Sequence, residues 1–152
     1  MPQRYARVQI WLHWVIAALV GLEYATSELI EEGGAFLAGL HVWPGVAILV
    51  LMPIRLVLRL ALGTPEPPES EHPFLRRLAV WTHWAFYALL ILIPAGALAA
   101  RYGVWKGGQL LHDAGEPVFF ILFWLHLGAA LVHHFIFRTD VLIRMVPILE
   151  RR

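Results

Sequence analysis

Four apolar runs, each long enough to cross a bilayer, alternate with short polar segments along the 152 residues. They extend over about 10–30, 36–62, 79–100 and 111–135, and roughly twenty apolar residues are enough for one spanning helix. Between them lie a connector of Glu31, Glu32, Gly33 and Gly34, a loop reading GTPEPPESEHPFLRRL from Gly63 to Leu78, and a short polar stretch from Arg101 to Gln109. Proline and charge mark the long loop as aqueous. After His134 the tail FIFRTDVLIRMVPILERR keeps an apolar rhythm among basic residues and is expected to lie along the membrane surface. The pattern predicts an all-α integral membrane four-helix bundle, a single domain over 1–152.

Composition supports a lipid setting, with 59% hydrophobic and only 15% charged residues, against roughly one quarter charged in soluble domains. No basic n-region and small-residue cleavage site precede the first run, so it is expected to be a retained span. The net charge of +1 gives no reason to expect a nucleic-acid partner. Cysteine is absent, which excludes disulfides, thiolate metal sites and thioether-linked haem. A cofactor would therefore be held by histidine or methionine.

The distribution of charge matters more than its sum. Four spans put both termini on one side of the membrane. That side collects Arg4, Arg7, Arg55, Arg59, Arg76, Arg77, Arg138, Arg144, Arg151 and Arg152, leaving Arg101 and Lys106 on the other. By the positive-inside rule both termini are expected in the cytoplasm.

Chemistry enters with the histidines. The last run carries His112 and His126 fourteen residues apart, a spacing that puts both imidazoles on nearly one helix face, about 21 Å apart along the axis. Imidazole in hydrocarbon is costly without a partner and points to function. The expected orientation sorts the other candidates by depth. His13 enters from the inner side, level with His126; His41 begins a helix descending from the outer side, level with His112. Ala17, Gly21 and Gly45 keep the faces beside His13 and His41 low enough for a flat cofactor or another helix. Pro44 suits a first helical turn, so the second helix is expected to begin near His41. The segment WLHWVIAAL at Trp11 to Leu19 is echoed by WTHWAFYAL at Trp81 to Leu89, which makes His83 a rival to His13.

Two imidazoles per level fall short of what zinc requires. A porphyrin supplies the other four nitrogens, and iron with both axial positions filled favours electron transfer over chemistry at the metal. The expectation is one haem iron held inside by His13 and His126 and another held outside by His41 and His112. Arg55 and Arg59, four apart, are either snorkelling anchors or partners of haem propionates. His83, His133 and His134 on the inner side are candidates for propionate or quinone contacts, or for interfacial water. His72 reads as a solvated loop residue. Glu23 reads first as a group near enough the far end to reach water, with a proton or quinone role as the alternative. Gly128, Ala129 and Ala130 form a small-residue patch fit for close helix packing.

The segments RYARVQIWLHW, HVWPG, LHDAG and HLGAALVHHFIFRTDVLIRMVP together resemble the prokaryotic cytochrome b561 family over nearly the whole chain. The resemblance implies a four-helix protein of the bacterial inner membrane that carries two haem b groups and exchanges electrons with ubiquinone or menaquinone. It implies His13, His41, His112 and His126 as axial ligands and decides against His83. Some members are associated with oxidising superoxide and passing its electron to ubiquinone, and Arg101 and Lys106 would attract such an anion at the outer face. The alternative it leaves open is a haem-bearing membrane anchor subunit of a larger dehydrogenase or hydrogenase, docked to a soluble redox subunit. A four-helix transporter or scaffold without a cofactor is the remaining class.

Overall fold

The computed structural model describes residues 4–27, 30–67 and 71–146, with the backbone alone described at 30–35 and 37. Four helices make up its regular structure: α1 (Arg7–Ser27), α2 (Ile30–Leu62), α3 (Pro73–Arg101) and α4 (Gly108–Phe135). Each is long and apolar enough to cross a bilayer. Large apolar side chains such as Trp11, Val57, Ile121 and Leu125 stay exposed around the bundle, as they do where lipid is the solvent and apolarity surrounds the helix. The all-α membrane bundle read from the sequence is the observed architecture.

The helices extend beyond the apolar runs. The connector expected at Glu31 to Gly34 is instead the opening of α2, which begins at Ile30, eleven residues before His41 and far upstream of Pro44. A glycine costs a helix about 1 kcal/mol without stopping it, and α2 runs through Gly33 and Gly34. Pro44 and Pro53 lie inside α2, Pro94 inside α3 and Pro117 inside α4, tolerated where neighbouring groups satisfy the freed carbonyls. Helix α3 likewise starts six residues before its expected span. His72 caps it, its Nδ1 accepting from the Phe74 amide at 3.2 Å, with Pro73 at the first helical position. The loop histidine therefore has a structural task.

Packing follows chain order. Helix α1 lies on α2, α2 on α3, and α3 on α4, while no Cα of α4 comes within 8 Å of one in α1 or α2 among the described residues. The buried core of Ile16, Ile48, Met52 and Tyr87 belongs to the first three helices. Helix α4 meets α3 through glycine. A methyl group on Gly96 would stand 2.8 Å from the Gly108 carbonyl, one on Gly108 would strike the Gly96 backbone, and one on Gly115 would stand 2.7 Å from Ile93 Cγ1. A methyl group on Gly128 would meet nothing within 4 Å, so the close approach lies at Gly108 and Gly115 rather than at the patch beginning with Gly128.

The end of the bundle that holds the start of α1 and the finish of α4 is tied by polar contacts. Gln9 is buried and donates from Nε2 to the Gly63 carbonyl at 3.1 Å, joining α1 to the end of α2. After α4, Arg138 takes a positive φ of 53° at the reversal where glycine is usual. The tail as far as Val146 folds back over this end: Trp14 Nε1 donates to the Met145 carbonyl at 2.7 Å, and Arg144 donates to the Glu66 carbonyl. Pro147 to Arg152 lie outside the described residues.

Candidate functional site

Across the gap between α4 and its two distant neighbours, histidines face one another at two levels. The rings of His13 and His126 have centroids 6.5 Å apart with planes at 67°. The rings of His41 and His112 have centroids 6.3 Å apart with planes at 66°. The separation along α4 is set by the fourteen residues from His112 to His126, about 21 Å. Tyr24 of α1 and Phe120 of α4 stack between the levels, with centroids 5.2 Å apart. Among the described residues only side chains of the helices bridge this gap.

The two separations are informative. Two metal–imidazole bonds of about 2.0 Å in line place ring centroids roughly 6.4 Å apart. Direct hydrogen bonding between the rings would draw them closer. Among the described residues no group of three or more histidine, cysteine, aspartate or glutamate side chains could hold a metal ion. Each level therefore sets imidazoles against one another across the gap without the ligand set a bare ion needs, a donor arrangement that suits a metal already held in a flat macrocycle. The residues present fit haem at both levels.

The surroundings of the two pairs differ in sign. Behind His13 stands Arg55, whose Nη2 lies 3.3 Å from His13 Nδ1 and whose Nη1 donates to the Gln9 carbonyl at 3.1 Å. Arg59 lies beside it, its guanidinium 6.0 Å from the centre of the Tyr87 ring. Tyr5 lies close by, just ahead of α1; burial pushes its phenol pKa up while Arg59 and Arg55 pull it down, and the net shift is upward. Behind His41 stands Glu23, with Oε2 3.1 Å from His41 Nδ1, and the Thr26 hydroxyl lies 3.4 Å from the same nitrogen. His112 Nδ1 has Asp113 Oδ1 at 3.4 Å. Glu23 is thus not a group reaching for water at the far end. It turns inward and lies beside Gly45.

The other candidates separate clearly. His83 joins the inner group, its ring 5.6 Å from that of His126, and its Nδ1 donates to the Ala79 carbonyl at 2.6 Å, which leaves Nε2 as the free nitrogen. His133 has both nitrogens engaged, Nε2 with Glu71 Oε1 at 3.2 Å and Nδ1 with Thr139 Oγ1 at 3.1 Å. His134 packs edge-on against Phe135. Sequence reasoning missed Glu71, whose side chain is only 8% exposed; its position in a charged loop hid its contact with His133 near the end of α4. It also missed Tyr5, Gln9 and Tyr87 around the arginines, for which RYARVQ and WAFYAL gave no signal beyond ordinary interfacial aromatics.

A membrane bundle with two levels of paired histidines across one helix gap defines a class, the helical cytochromes that carry electrons within the bilayer. The model of the prokaryotic cytochrome b561 family matches residues 4–147, and the chain belongs to that family. It is 29% identical over 174 aligned residues to the probable superoxide oxidase CybB of Yersinia pestis, covering 97% of this chain and 98% of that one. It is 32% identical over 156 residues to cytochrome b562 of Cereibacter sphaeroides, covering 93% and 94%. Cytochrome b561 homolog 1 of Escherichia coli is 24% identical over 171 residues, covering 95% and 97%. The chain is a multi-pass electron-transfer protein of the bacterial inner membrane, and its family implies haem b.

Proposed function

We propose that this protein moves electrons across the membrane between two b haems, one held by His13 and His126 and the other by His41 and His112, and exchanges them with membrane quinone. The observation that carries the reading is the recurrence of one imidazole separation at two depths across a single gap. When bound, haem supplies one-electron redox chemistry at each level. The protein's own residues do the rest. The histidines fix the two depths, and full axial ligation would keep oxygen away from the metal. Arg55 and Arg59 offer fork-shaped cations for the carboxylates of the group at His13 and His126.

The charge distribution read from the sequence supports cytoplasmic termini, which makes the His13 level the inner one. Quinone reduction consumes two electrons and two protons. His83 is a fitting proton carrier for it, because its Nε2 is free beside His126. Superoxide is the donor that the name of the Yersinia relative brings to mind. Its oxidation releases oxygen and one electron, so two turnovers supply one quinone.

The test is steady-state reduction of a water-soluble quinone by the purified, haem-loaded chain in detergent or nanodiscs, with enzymatically generated superoxide at the outer face. Quinol formation above the rate without the protein supports the reading. Stable haem content with no quinol formation from superoxide or any other small donor overturns it.

A further inference from the structure

The two imidazole pairs differ in what stands behind them, and the difference has a redox meaning. An ionised Glu23 only accepts hydrogen bonds, so its 3.1 Å contact places the hydrogen of His41 on Nδ1 and leaves the Nε2 lone pair for the His112 side. Thr26 completes the fix. Its hydroxyl donates to the Leu22 carbonyl at 2.8 Å and presents its oxygen to the same Nδ1. Glu23 belongs to α1 and His41 to α2, so the packing of these helices sets the contact. The carboxylate is only 20% exposed, and its Oε1 is buried without a hydrogen-bond partner. A carboxylate at such a position raises the basicity of the imidazole as a metal ligand and stabilises the more positive metal state. At the other level the group behind His13 is Arg55, a cation, with Arg59 beside it.

We propose that Glu23 is a positioning residue for the His41 and His112 site, locking the orientation of His41 and making the haem there the one with the lower reduction potential. The proposal rests on the two-haem reading above and adds an order to it. The pair with a carboxylate behind it holds its electron less tightly than the pair with none, so electrons run from the His41 level toward the His13 level. Asp113 points the same way at His112 but is 60% exposed, and water screens most of its effect. Glu23 is the stronger element.

The test is a potentiometric titration of the purified holoprotein followed by its optical spectrum, for the unaltered chain, E23Q and E23D, with the low-temperature spectrum of the oxidised haems as a second readout. His112→Ala assigns the wave that belongs to this level. Glutamine keeps the size and an accepting oxygen but removes the charge. In E23Q the lower wave should move upward by about a tenfold change in the oxidised-to-reduced ratio, roughly 59 mV for one electron. The other wave should stay in place and the haem count should be unchanged, with E23D returning most of the shift.

Unmoved waves in E23Q, or movement of the other wave, overturn the proposal while leaving two-haem electron transfer intact. Loss of haem in E23Q that E23D does not restore makes Glu23 a structural residue only and also overturns it. An unaltered chain that binds no haem removes the wider reading together with this one.

Discussion

Arg55 sets a cation against the back of an axial candidate, its Nη2 3.3 Å from Nδ1 of His13. Guanidinium only donates, so in this arrangement His13 Nδ1 accepts and its hydrogen sits on Nε2. A metal on Nε2 requires the reverse tautomer, so Arg55 must let go of the ring when the site is loaded. Its flexible stem and the neighbouring Arg59 then direct both guanidiniums to the carboxylates of the incoming group. Hydrogen bonds to charged groups contribute about 1.5–3 kcal/mol, so R55Q should increase haem loss from this level by roughly tenfold or more. Transfer of haem to apomyoglobin measures it, and an unchanged transfer rate would count against a role for Arg55 in holding the group.

His83 lies near enough to His126 to be mistaken for a ligand, with its ring 5.6 Å away, closer than that of His13. Its Nδ1 bond to the Ala79 carbonyl holds it on its own helix. H83A should keep both haems and lower quinone reduction by at least tenfold, in keeping with the range of about 10²–10⁴ that general acid–base groups contribute. A haem count reduced by one in H83A would make His83 the ligand and displace His13.

The contact between α3 and α4 rests on Gly96 and Gly108, where backbone meets backbone. Overpacking costs about 1–3 kcal/mol, so G108A should lower the thermal midpoint of the detergent-solubilised protein by several degrees. G128A should leave it unchanged, because a methyl group there meets nothing within 4 Å. Equal effects of the two substitutions would contradict the packing described.

His133 and Glu71 form a clamp between the end of α4 and the loop before α3, 3.2 Å apart and largely buried. Removing one partner leaves a buried polar group unsatisfied, at a cost of about 1–3 kcal/mol. H133A and E71A should therefore each lower stability while leaving the haem spectrum as it is. A spectral change in H133A would assign it to the haem environment instead.

The helices and the sorting of histidines by depth were legible in the sequence because both obey simple periodicities, although spacing left His13 and His83 as rivals for the place opposite His126. Apolar length gives the spans, and fourteen residues between His112 and His126 give one face and two depths. The connector expected at Glu31 to Gly34 is helix instead, because two glycines weaken a helix without ending it and α2 runs through them from Ile30. Glu23 was misjudged because its meaning lies between helices. No spacing along α1 reveals that its carboxylate meets His41 of α2 and lies beside Gly45. The packing glycines were misplaced for a similar reason. Gly128 begins the most obvious patch of small residues, yet α4 leans on α3 nearer its start.

The two-haem account is tested most directly by the haem-to-chain ratio and optical spectrum of the purified protein and of H13A, H41A, H112A and H126A. The account predicts two haems per unaltered chain and one in each variant, with H13A and H126A losing the same spectral component and H41A and H112A losing the other. A single haem in the unaltered chain, or H13A and H41A removing the same component, would contradict it.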